Sequence, residues 1–156
     1  MTALKTRPTL TGTAYADDFY TWTQERSARL RSGEPSGLVR ANLADEIESL
    51  GKSQFVRLTS ALRMVLLHRL KFDHQPGKRT RSWAISLAPH RVHTIDELEE
   101  SPGLKGRLVE AVAKAYRVAR LDAVSETGLP VKLFPEACPY TYQDIMDRPF
   151  TIDPTA

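Results

Sequence analysis

The chain has 156 residues, a one-domain length that can bury a core without a disulfide or metal staple. Apolar residues make up 41% and charged residues 26%, which argues against wholesale disorder. Lys and Arg (22) barely outnumber Asp and Glu (19), so a net charge of +3 points only weakly to polyanions, and no apolar run reaches the ~18 residues that span a bilayer.

Residues 1–14 are Thr-rich and aperiodic, and read as a flexible N-terminal arm. They hold no apolar stretch of the kind a secretory leader needs. A single helical domain is expected over 15–150, followed by a tail over 151–156. Asp17 and Asp18 place negative charge at a helix start, and Phe19, Trp22 and Leu30 form its apolar side. Gly33 and Pro35 end it. Val39, Leu43, Ile47 and Leu50 then recur every three or four residues, the spacing of a buried helix stripe. Leu58, Leu62, Val65 and Phe72 continue it, and from Met64 to Leu70 the helix is apolar nearly all round, as a central helix would be. Gly51 between the two stripes either breaks this region into two helices or weakens one long one.

Pro76-Gly77 marks a loop. Trp83, Leu87, His90 and Leu98 share one face of a third helix that Pro89 must kink or split, with a capping-box restart at Thr94-Ile95-Asp96-Glu97. Ser101-Pro102 has the form of an N-cap with Pro at the first helical position. Leu104, Leu108, Ala111, Val112, Ala115, Val118 and Ala119 line one side of the helix that follows. Gly128 suits a left-handed C-terminal cap, with Leu129 reaching back to Val124 as in a Schellman motif. The last 28 residues hold five prolines and one short helix near residues 142–146. No segment alternates like a strand. The fold class expected is all-α: an antiparallel bundle of four or five helices with an ordered, proline-rich C-terminal extension.

Several phrases together resemble a known family. They are Tyr15-Ala16-Asp17-Asp18-Phe19-Tyr20-Thr21-Trp22, Asn42-Leu43-Ala44-Asp45-Glu46-Ile47-Glu48-Ser49-Leu50-Gly51, Leu66-Leu67-His68-Arg69-Leu70-Lys71 and Arg81-Ser82-Trp83. Glu126-Thr127-Gly128-Leu129-Pro130, Phe134-Pro135 and Cys138-Pro139-Tyr140 complete the series. In this order they resemble a bacterial domain-of-unknown-function family, number twenty-nine in its series and abundant in cyanobacteria. The resemblance runs from about Tyr15 to Phe150 and implies a compact helical bacterial protein, with no activity to carry over.

Most of the chemistry-bearing residues also have an ordinary packing role open to them. Asp45, Glu46 and Glu48 cluster on one helix, but their spacing turns them to different sides. Glu46 flanks the apolar stripe and Arg69 falls on one, so each needs an opposite charge, and a Glu46–Arg69 or Glu46–His68 contact would serve. Glu46, His68, Arg69 and Trp83 are therefore candidates for a structural ion pair or a cleft. Arg69, Lys71, His74, Lys78, Arg79 and Arg81 lie close together, and Phe72 and Trp83 bracket the loop between them, a pattern that can meet phosphates and bases. His90 and His93 share a face at a spacing that can seat a metal, but there is no Glu-x-x-His pair and Pro89 precedes them. No metal and no cofactor is expected. Cys138 reads as a buried structural thiol, consistent with a reducing cytoplasm. The first functional expectation is a non-enzymatic helical interaction module acting on a protein partner or its own homodimer. Non-specific nucleic-acid binding through residues 69–91 is the second, and a metal-dependent hydrolase-like bundle the third.

Overall fold

The computed structural model describes residues 13, 16–33 and 37–151, with side chains from residue 40 onward in the second helix. Apart from Thr13 and Thr151, the arm and tail expected at the two ends lie outside the described residues, as do Tyr15, Pro35 and the side chain of Val39. The regular elements among the described residues are all helical, with no strand among them. The α-helices are α1 (Phe19–Ser32), α2 (Gly37–His74), α3 (Arg81–Glu100), α4 (Leu108–Thr127) and α5 (Tyr142–Asp147). Short 3₁₀ turns at Pro76–Lys78, Pro102–Arg107 and Val131–Leu133 join the later ones.

α2 is the axis on which α1, α3 and α4 pack. Its 38 residues make a rod of about 57 Å. Gly51 neither breaks nor interrupts it. The residue is buried against α1, where a β-carbon would collide with Oγ1 of Thr23, so its bareness sets how closely the two backbones approach. Farther along, Leu58, Leu62, Val65, Leu66 and Leu70 are fully buried. They meet the alanine row Ala111, Ala115, Ala119 and Ala123 of α4, one small residue per turn. Large side chains from one helix thus fill the space left by small ones on the other. Leu87 and Leu98 of α3, together with Leu104, Phe134 and Ile145, close the core.

Several local expectations change. Leu43 and Leu50 are half exposed, because α1 packs instead on the adjacent side of α2 that carries Ala44 and Gly51. Pro89 does not split α3. Ile85 and Pro89 lie on its exposed side, so water can satisfy the carbonyl that proline leaves without an N–H. Thr94 is no restart: it is buried in mid-helix, its hydroxyl donating to the His90 carbonyl at 2.9 Å. Ser101 makes no side-chain cap, and Pro102 opens a 3₁₀ turn ahead of α4. The cap of α1 takes over part of that joint. Asp18 accepts from the Thr21 N–H at 2.9 Å and also from the Gly103 N–H, tying the start of α1 to the turn before α4. Gly128 is left-handed (φ 70°), and its N–H reaches the Val124 carbonyl at 2.9 Å. The Leu129 N–H turns to the Thr127 hydroxyl instead, so this is the simpler αL cap and not a Schellman motif.

Gly51→Ala should destabilise the protein, although alanine is the better helix former by ~1 kcal/mol. In a Thr23→Ala background the penalty should shrink, since the colliding oxygen is gone. Equal penalties in the two backgrounds, read by urea denaturation, would disprove the close approach.

Candidate functional site: an apolar cleft beside α4

Beyond Gly128 the chain turns back along α4, and backbone carbonyls hold it there. Tyr116 donates its hydroxyl to the Pro135 carbonyl at 2.6 Å. Arg120 donates to the carbonyls of Phe134 at 3.0 Å and Val131 at 3.2 Å. Phe134 is buried behind them. Between α4 and residues 136–142 this leaves an open cavity of about 550 Å³. Leu108, Val109, Val112 and Tyr116 form one wall, and Cys138, Tyr140 and Tyr142 the other. Val109 is 88% exposed, the most exposed large apolar side chain among those described. Arg117 and Glu136 also line the cavity, and neither has an ion pair among the described residues. Cys138 is not a buried core thiol but a half-buried member of the wall, 3.5 Å from the Tyr140 carbonyl. Burial still pushes its pKa up, which keeps it protonated and weakly nucleophilic.

The far side of the same C-terminal segment is pinned by a buried charge. The Arg69 side chain is 3% exposed and takes the Asp73 carboxylate at 3.0 and 3.2 Å, one helical turn along α2. It also donates to the Pro149 carbonyl at 3.4 Å and stacks on Phe150, 4.7 Å from the ring centre. Tyr140 donates its hydroxyl to Asp73 at 2.8 Å. Burial, then the Asp73 carboxylate, push that phenol far above its ordinary pKa, so it stays a donor. Glu46 is not the partner of Arg69. Both lie on one unbroken helix, 23 residues and about 35 Å apart, and Glu46 is exposed. Its neighbours Asp45 and Glu48 meet Arg31 of α1. Glu46, His68, Arg69 and Trp83 therefore do not converge on one cleft.

Much of the basic segment is used internally. Lys71 pairs with Glu126 at 2.6 Å and lies over the half-buried Trp83 ring. Arg79 donates to the Phe72 carbonyl at 2.8 Å and covers its buried ring. His74 contacts the Leu70 carbonyl and packs on Phe134. Lys78 and Arg81 stay exposed, with no ion pair among the described residues. His68 stacks on His90 across the α2–α3 seam with ring centres 6.1 Å apart, and His93 lies beside His90. Among the described residues no group of three or more His, Cys, Asp or Glu is arranged to hold a metal. Burial lowers the pKa of His68, helped by Lys71 and His90, and burial likewise lowers that of His90.

The folded chain is thus an all-helical domain with an apolar cleft and no helix among the described residues long and apolar enough to cross a membrane. It matches the family described as "Domain of unknown function DUF29" over residues 14–151, and the chain belongs to that family. A crystal structure of an α-helical protein of unknown function from Rhodospirillum rubrum is similar in fold. Its TM-score is 0.63 at 20% sequence identity, over 92% of this chain and 95% of that one. No curated protein matches.

Asp73→Ala should cost ~3–5 kcal/mol, the usual loss when a buried ion pair is broken from one side. A double-mutant cycle should give clear coupling between Arg69 and Asp73 and none between Arg69 and Glu46. Coupling to Glu46 would contradict the geometry. The histidine seam should make stability depend on pH. Because the folded-state pKa values of His68 and His90 are lowered, their contribution is complete above the unfolded value of ~6.5 and is lost as pH falls toward the folded values. Thermal melts should show this slope flatten in His68→Gln. An unchanged slope would remove His68 from the cause.

Proposed function

We propose that this protein is a non-enzymatic binding module. In this view it is an antiparallel bundle whose ordered, proline-rich C-terminal extension walls a cleft for the apolar side chains of a protein partner. The observation that carries the proposal is the cleft beside α4, about 550 Å³ in volume, whose rim holds Val109 at 88% exposure. Leaving a valine in water forfeits burial worth ~1.5–3 kcal/mol, and contiguous apolar surface of this kind marks binding sites. Arg117 and Glu136 at its edge offer one charge of each sign, which suits a peptide carrying both better than a polyanion. Nucleic-acid binding through residues 69–91 is less favoured, because Arg69, Lys71 and Arg79 are committed to Asp73, Glu126 and the Phe72 carbonyl. The raised thiol pKa of Cys138 speaks against using it as a nucleophile, and a reducing cytoplasm suits a lone thiol.

Cys138 is the only cysteine of the chain and stands in the cleft wall, so it reports occupancy directly. Anilinonaphthalenesulfonate, an apolar aromatic probe, should bind with enhanced fluorescence and slow the alkylation of Cys138 by N-ethylmaleimide severalfold. Val109→Glu should weaken both effects without altering the fold. Full-rate alkylation at saturating probe would refute the cleft as a binding site.

A further inference from the structure

We propose that the outer face of α3 is a self-association surface that pairs with the same face of a second copy of this chain. α3 buries Leu87, Thr94 and Leu98 on its inner side. Its outer side carries a second stripe: Arg81, Ile85, Ala88, Val92, Ile95 and Glu99. These follow one another at alternating steps of four and three residues, the a/d spacing of a two-helix seam, and cover roughly 80° of the helix circumference. All six are exposed, with Ile85 at 61%, Val92 at 52% and Ile95 at 45%. A helix that packs on one side only needs no second apolar stripe.

The order of residues in this stripe names its partner. It is symmetric about position 90. If a second copy lies antiparallel with its own position 90 opposite, Ile85 meets the partner's Ile95. Ala88 meets the partner's Val92, so a small residue faces a larger one on each side of the two-fold axis. At the ends Arg81 meets the partner's Glu99, and by symmetry Glu99 meets the partner's Arg81. Neither Arg81 nor Glu99 has an ion pair among the described residues, and both end the stripe on its centre line around the helix. A parallel pairing in register would instead set arginine against arginine and glutamate against glutamate, so charge selects the antiparallel arrangement. Pro89, which lacks an N–H but keeps its apolar ring, sits on the flank and obstructs neither row. One helix pair of 20 residues is a contact at the small end of specific interfaces, which makes the dimer reversible with concentration. The surface is separate from the cleft beside α4, so the two proposals stand or fall independently.

Sedimentation equilibrium of the full chain over a wide concentration range tests it. The mass should rise from 17.5 kDa toward twice that value. Val92→Glu puts two like charges beside the axis and should weaken association ~100-fold or more, while helicity, melting temperature and the alkylation behaviour of Cys138 stay as they were. Arg81→Glu should weaken it severalfold, and Arg81→Glu with Glu99→Arg should restore it. A single-chain mass at the highest concentration would overturn the proposal. So would a dimer that survives Val92→Glu, or a double charge swap as weak as the single one.

Discussion

The unbroken run of α2, 38 residues long, constrains everything else in this molecule. Helix α1 packs near its beginning, while α3, α4 and α5 pack on it farther along. The contact that makes this possible is the fit of Leu58, Leu62, Val65 and Leu66 against the alanine row of α4. Large side chains on one helix and small ones on the other bring the backbones close without voids, and dispersion and hydrophobic burial accumulate together. Gly51 serves the same end on α1, where any side chain would hold the helices apart.

A second constraint follows from where Arg69 falls on that helix. It lands on the buried face, and a buried cation must be paired or it destabilises the fold. The partner is local, Asp73 one turn away, and Asp73 in turn receives Tyr140, while Arg69 reaches Pro149 and Phe150. The charge therefore fixes the C-terminal segment in place. Because Tyr140 belongs to both this network and the wall of the cleft beside α4, the shape of the cleft depends on an ion pair outside it.

Two apolar surfaces then stand out on opposite kinds of ground. The cleft beside α4 is concave, bounded by aromatic rings and one thiol. The α3 stripe is convex and ends in opposite charges. Concave surfaces of this kind receive side chains, whereas a self-complementary ridge suits a second copy of itself. The inner faces of α3 and α4 are committed to the core, which leaves Ile85, Val92 and Ile95 of the stripe and Val109 at the cleft facing outward.

Spacing along the chain marks where helices lie and most of the buried set, although it does not show that α2 runs through Gly51 and α3 through Pro89 and Thr94. Leu58, Leu62, Val65, Leu66 and Leu70, and the small face of α4, were legible from spacing alone, because a period of three to four residues records which side of a helix meets a core. So was the left-handed glycine at 128, since a helix end demands a conformation that only glycine adopts cheaply. Which of two apolar stripes a helix buries is set by the neighbours that pack on it. The row at Leu43 and Leu50 looked as good as the one at Leu58, yet it stayed half exposed because α1 chose the side with Ala44 and Gly51. The cleft had the same kind of cause. Val109, Cys138 and Tyr142 carry no mutual periodicity; they meet only because Gly128 turns the chain and Tyr116, Arg120 and Arg69 bind it back. Periodicity records neighbours on one helix, whereas a site built from two distant segments depends on the contacts that fold one onto the other.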